Sequence, residues 1–260
     1  MTSEFADKPS LTAPRAKLHR AELHLRAFES AWQKVIDAEV YTFIHEVNAD
    51  GVSHRYRAVT VPDLDDKWAL MLGDCVHNLR SSLDYLAFEL VRANGGVPDH
   101  HTAFPVHSEP GGVRVHGGIA DDALALIEEV QPYAASEEGN RIRAIDLLDR
   151  ADRSRPMLLA AAATGHNRSS GLGASSRAPQ IVEVWTSDRP LEVGKTVHGY
   201  TYNTPFAGED PAILVLPHLV IDDPVVESEF GRVAASILVG DKLIPWLREQ
   251  FFPRFEPFFG

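Results

Sequence analysis

Between Leu64 and Leu90 the chain repeats apolar residues at steps of three and four: Leu64, Trp68, Leu72, Cys75, Leu79, Leu83, Leu86 and Leu90. That is the helical period, so these residues form one stripe along a single long helix from about Leu64 to Val91. Pro62-Asp63 opens it and Asn94-Gly95-Gly96 closes it. Such a stripe has to be covered, so the chain is built around helix packing. A second strong pattern precedes it. Leu18, Ala21, Leu25, Phe28, Trp32 and Val35 mark an amphipathic helix, with Thr12 as its cap and Pro14 in its first turn.

The segments around these helices read differently. Residues 41–61 are rich in β-branched and aromatic types and hold Asp50-Gly51 at their centre, which predicts a two-stranded hairpin. Shorter helices are expected at Asp121–Val130, ending before Pro132, and from about Asn140 to Asp152. Strands are expected at Ile181–Thr186, Thr196–Asn203 and Ala212–Ile221. A last helix follows Asp223-Pro224 and carries Val226, Phe230, Val233, Ile237, Leu243 and Leu247, with a kink at Pro245. Strands and helices do not alternate, so a parallel doubly wound sheet is not expected. The class is α+β: an N-terminal helical bundle with an inserted β-hairpin, then a small antiparallel sheet and a C-terminal helix. In domains, this gives a disordered tail at 1–12, a helical domain at 13–165 with its hairpin at 41–61, and a flexible linker at 166–179. Strands plus a long helix at 180–260 then pack on the helical domain.

Composition narrows the function classes. The 260 residues carry a net charge of −12, which repels phosphate backbones and anionic lipid. Broad nucleic-acid binding and membrane docking are therefore disfavoured, and only a local basic patch leaves nucleic acid open. One cysteine, Cys75, allows no intrachain disulfide. With no apolar leader and no apolar run long enough to span a bilayer, the reading is a cytoplasmic protein.

The long helix has a second face. At 100° per residue, Asp74, His77, Ser81 and Asp84 lie together roughly opposite the leucine stripe, with Leu70 and Phe88 one turn beyond each end. A polar cluster bracketed by apolar residues suggests a helix packed on both sides, either as a hydrogen-bond network or as a site. Metal binding has one argument for it: Asp74-x-x-His77 puts two ligand types on one face, and His19 and Glu22 repeat the spacing on the first helix. The duplicated Glu-x-x-His pattern of di-iron bundles is not met, so no metal and no cofactor are assigned. A Ser-His-Asp reading of Ser81, His77 and Asp84 lacks a nucleophile elbow. Cys75 sits on the apolar stripe as a core residue.

The stretch Gly73-Asp74-Cys75-Val76-His77-Asn78-Leu79-Arg80-Ser81-Ser82-Leu83-Asp84-Tyr85-Leu86 resembles a signature in a group of bacterial and phage proteins. Those chains also carry a downstream Phe-Pro-Ile, a Gln-Pro-Tyr and an Asp-Lys-His-Arg. Here Phe104-Pro105-Val106 and Gln131-Pro132-Tyr133 stand in the same order, and Asp152-Arg153-Ser154-Arg155 takes the last place. The resemblance covers about residues 15–160 and implies no particular activity. The Arg-x4-His form of some members further resembles the HEPN superfamily of helical ribonucleases, whose Arg and His meet across a dimer. Arg80 matches that arginine, but Tyr85 holds the histidine position and cannot serve as a base near neutral pH. Both departures, Tyr85 and Ser154, remove a histidine and weaken the catalytic implication.

Remaining features have ordinary readings. His100, His101, His107 and His116 crowd one loop; Gly171-x-Gly173 lacks a P-loop lysine. Arg141, Arg143, Arg150, Arg153 and Arg155 can meet phosphate or pair with nearby acids such as Asp146, Asp149 and Asp152. The expected function is binding of a protein or small-molecule partner without strong catalysis, with a homodimer through the helical face as one form. The alternative is an enzyme using Asp74, His77, Arg80 and Asp84, either a HEPN-like ribonuclease or a metal-dependent hydrolase or oxygenase. Ser81, Tyr85, His19 and Glu22 are the candidate ligand contacts.

Overall fold

The computed structural model describes residues 8–154, 157–167, 179–187, 189–206 and 213–260. The expected linker at 166–179, with Gly171 and Gly173, lies almost wholly outside them, as do most of the N-terminal tail and Arg155.

Two long helices form the spine. Helix α1 spans Thr12–Asp37 and buries Leu18, Ala21, Leu25, Phe28 and Trp32. Helix α2 spans Lys67–Ala93, and Leu72, Cys75, Leu79, Leu83 and Leu86 on its stripe are fully buried. The two pack side by side. At one end Trp32 and Trp68 meet edge to face, with centroids 5.2 Å apart, and Phe28 meets Trp68 at 6.0 Å. Both starts differ from expectation. Thr12 is the first helical residue rather than the cap, and its N–H is taken by the Ser10 hydroxyl. Helix α2 begins at Lys67, where the Asp65 carboxylate accepts the first free N–H.

Between them, β1 (Thr42–Val47) and β2 (Ser53–Thr60) form the expected hairpin around Gly51, whose φ of +67° needs a glycine. Helices α3 (Asp121–Glu129) and α4 (Glu137–Ser154) come next, separated by a single turn at Pro132–Ala134. Strand β3, Leu159–Asn167, runs through an alanine-rich stretch with no strand signal of its own. It takes its form from nine-residue antiparallel pairing with β6 (Ile213–Ile221).

Strands β4 (Ile181–Thr186) and β5 (Thr196–Tyr202) complete the sheets. The hairpin does not stand alone, because β2 pairs with β5 in a four-stranded antiparallel sheet of order β1-β2-β5-β4. The second sheet has order β3-β6-β7, with β7 only Val233–Ala234. The α+β class holds.

The expected single C-terminal helix is broken. Helix α5 (Pro224–Phe230) is capped by the Asp223 side chain and stops at Gly231, with φ +69°. After β7 the chain becomes helical again over Ile237–Leu243, Ile244–Trp246, Leu247–Phe251 and Phe252–Phe259. Rather than a simple kink, wide i→i+5 turns flank Pro245, which has no N–H to give the helix ladder. Phe251, Phe252 and Phe255 from this run are fully buried. No helix among the described residues is long and apolar enough to cross a membrane.

Candidate functional site

The landmark segments of the sequence converge on the second face of α2. Arg80 is 8% exposed. Its Nη2 donates to the Phe104 carbonyl oxygen at 2.7 Å and pairs with Asp84 at 3.0 Å, while Asp146 of α4 lies 3.9 Å from Nη1. Asp84 in turn accepts the Phe104 N–H at 3.0 Å. One arginine-carboxylate pair thus clamps both backbone groups of Phe104. Fully buried Gln131 holds the next residues: its amide donates to the Pro105 and Ile127 carbonyls and its oxygen accepts from His107 N–H. A loop that would bury unsatisfied backbone groups is instead stitched to α2 and α3.

Helix α4 covers the N-terminal half of the same face. A Cβ on Gly73 would collide with the Asp152 carboxylate, 2.6 Å from its Cγ, so the glycine is what lets that carboxylate lie against α2. His77 Nδ1 is 3.4 Å from Asp149 Oδ1. Asp149 is 1% exposed and also pairs with Arg153 at 2.5 Å, whereas the His77 side chain is 59% exposed. Burial pushes the Asp84 carboxyl above its usual range, against the pull of Arg80 and the Phe104 N–H. Burial also raises Asp152, helped by Asp149 and Asp74 and opposed by His77.

The expected candidates are thus separated. Arg80 and Asp84 belong to the Phe104 clamp. His77 and Asp74 stay at the surface, Asp74 facing His24 of α1 at 3.9 Å. Ser81 is half-buried. Tyr85 is exposed under the Lys17 ammonium, 5.3 Å from its ring centre. His19 pairs with Glu22 at 3.5 Å, and Glu22 pairs with Arg248 of the C-terminal run, not with α2. Leu70 and Phe88 are 59% and 38% exposed, so the apolar brackets mark open surface and not a second packed layer. Arginines 141, 143, 150 and 153 all pair with acids, namely Glu137, Glu229, Asp146 and Asp149. Among the described residues, no group of three or more His, Cys, Asp or Glu side chains is arranged to hold a metal ion. Of the loop histidines, His101 meets His100 at a tilt and His116 edge to face, and His116 pairs with Asp99 at 3.2 Å.

A cleft that no motif announced lies elsewhere. It has a volume of about 660 Å³ between the end of α1, the start of β1 and β6, where Ile36, Asp37, Tyr41, Phe43, Val215 and Pro217 meet. A second hollow of about 270 Å³ shares Gln33, Ile36, Leu216 and Pro217 with it and continues along α1 to Glu29. Its floor is fixed by the Trp32 indole N–H, which donates to the Pro217 carbonyl at 3.3 Å. Burial and Asp241 hold the Glu29 carboxyl above its usual range, with Arg26 opposing. The three contributing segments are far apart in sequence, and only the broken ladder at Pro217 hints at an open strand edge.

In comparisons with known proteins, the chain matches no family model, no curated protein and no solved structure.

Proposed function

We propose that the protein acts by binding a partner or ligand, without strong catalysis, and that the α1–β1–β6 cleft is where it binds. The observation that carries this is the cleft itself, about 660 Å³ with aromatic and aliphatic walls and a few polar groups, within the size range of ligand sites. The most motif-like polar residues argue the same way. Arg80 and Asp84 are tied to Phe104, and the guanidinium is buried with its charge already matched by Asp84, which turns it away from an incoming phosphate. The ribonuclease reading therefore loses its arginine. A homodimer is a further form of the binding reading, through the open face of α2 that carries Leu70, Tyr85 and Phe88; light scattering on the purified chain tests it. For the cleft, backbone amide shifts are recorded against a library of small fragments. Changes confined to residues 33–43 and 215–219 support the proposal, and changes centred on His77, Asp149 and Asp152 overturn it.

That second outcome corresponds to one competing reading. Asp149 is buried against Nδ1 of an exposed His77, an arrangement that orients an imidazole as a general base. If it serves an enzyme, His77→Gln and Asp149→Asn abolish turnover of the substrate while the fold stays intact.

A further inference from the structure

Resting on the binding reading, we infer that the cleft takes an extended peptide segment of a protein partner, apolar in its middle and bearing basic side chains at its ends. Charge is the first ground. The two adjoining hollows are bounded by Glu29 at one end and by Asp37 and Glu39 at the other, and among the described residues no lysine or arginine lines either of them. An ammonium or guanidinium entering there meets carboxylates beside the Tyr41 and Phe43 rings, a setting that favours cations over anions. Shape is the second ground. From Glu29 to Asp37 the helix rises about 12 Å, and five extended residues span roughly 16 Å, so one short segment reaches from one acidic end to the other. The wall between them is apolar on the β6 side, with Val215 and Leu216, and on α1 sets Ile36 beside Gln33, whose amide donates to Asp37 at 2.8 Å. A compact small molecule fills only one of the two hollows.

The backbone supplies the third ground. Asp222 N–H bonds to the Leu158 carbonyl on the β3 side, and the Pro217 carbonyl points the other way, to Trp32. By the two-residue alternation of an antiparallel ladder, Val215 directs its own N–H and C=O away from β3, towards the cleft. Strand β7 pairs only with Val220 and Ile221, so it does not reach this edge. An extended segment can take those main-chain groups.

The test uses the full chain and three peptides, namely acetyl-Lys-Val-Leu-Val-Lys-amide and the versions with both lysines changed to glutamate or to serine. Binding is followed by isothermal titration and by amide shifts. The lysine peptide is expected to bind at least tenfold more tightly than the glutamate peptide, to weaken with added salt, and to move residues 33–43 and 215–217. The double variant Asp37→Asn/Glu39→Gln, checked by circular dichroism, is expected to lose at least fivefold in affinity for the lysine peptide and none for the serine one. Equal binding of the three peptides overturns the basic-peptide inference while leaving the cleft a binding site. So does butylamine binding as tightly as the lysine peptide, since that makes the ligand a free amine. No response of the cleft to any peptide, while fragments still shift it, overturns the inference and spares the broader reading. No response to peptides or fragments removes both.

Discussion

Replacing Arg80 by methionine keeps much of the side chain's bulk and removes its charge and donors. The Phe104 carbonyl loses a 2.7 Å hydrogen bond, and Asp84 loses a cation at 3.0 Å while remaining held to the Phe104 N–H. Asp146 loses a more distant cation at 3.9 Å but keeps Arg150 at 2.7 Å. Breaking one side of a buried pair costs about 3–5 kcal/mol, because the remaining charge is stranded. For a chain of this size that lowers the melting temperature by roughly 6–20 °C. The deficit depends on pH with a definite sign. Burial already raises Asp84 above its ordinary carboxylate value of 3.8, and losing Arg80 raises it further. A carboxyl whose folded value is raised contributes stability below its unfolded value and loses it as pH rises through the folded one. The gap between Arg80→Met and the parent is thus largest near neutrality and narrows towards pH 4. Urea unfolding followed by far-ultraviolet circular dichroism at pH 7 and 4.5 measures both quantities. A variant within about 1 kcal/mol of the parent at pH 7, or a gap that widens in acid, refutes the clamp. The double variant Arg80→Met/Asp84→Met is expected to lose less than the sum of the singles, yet not to recover fully, since both Phe104 backbone groups then lack partners.

Three other expectations rest on single contacts. Gly73→Ala gains about 1 kcal/mol of helix propensity but drives a Cβ into the Asp152 carboxylate, for a net loss of about 1–2 kcal/mol; in an Asp152→Ala background the same change becomes stabilising, and thermal melts of the four variants read the reversal. Burial pushes the Cys75 thiol up to about 12, so a thiol reagent at pH 8 is expected to label it only in step with unfolding; fast stoichiometric labelling of native protein would contradict its place in the core. Burial lowers His198, whose ring bonds to Thr186 at 2.9 Å; it therefore contributes stability above its unfolded value of 6.5 that is lost as pH falls through the lower folded one, and His198→Gln is expected to flatten the decline measured by urea unfolding between pH 7.5 and 5.

What could be read from the sequence was local. The stripe from Leu72 to Leu86 is helical by period alone, and its members are fully buried. Asp50-Gly51 marked its hairpin for the same reason. The failures needed information from far along the chain. Leu159–Asn167 has neither β-branched density nor alternation, and only β6, some fifty residues on, makes it a strand. Leu70 and Phe88 looked like the rims of a packed face, but α4 covers only the polar half between Gly73 and Asp84. Gly73 itself was a legible sign, since a glycine inside a strong helix signals close approach. Its partner Asp152 was not, because carboxylates at helical spacing on a charged helix are most often solvated. The break in the last helix was written in Gly231, which adopts φ +69°, though the surrounding apolar spacing favoured one continuous helix.

The candidate site divides along the same line, and the division has a physical reason. A segment dense in Asp, His, Arg and Ser draws the eye because those side chains can do chemistry. Buried between helices, they must first satisfy one another and the backbone of any loop beside them. Here Arg80, Asp84 and Gln131 are spent on Phe104, Pro105 and His107, which fixes a loop that has no helix or strand of its own. Among the described residues, the outward edge of His77 and the cleft beyond Trp32 stay available because the loop did not need them. The cleft residues are ordinary ones, Ile36, Tyr41, Phe43 and Val215, and they carry no signature because shape and backbone direction, rather than reactive groups, make the surface. On the binding reading proposed above, that is the expected division, with polar residues where the fold must be held and apolar walls with a few charges where a partner would be met. Loss of peptide binding in cleft variants of unchanged stability, together with loss of stability in Arg80 variants of unchanged binding, is the pair of results that this division requires.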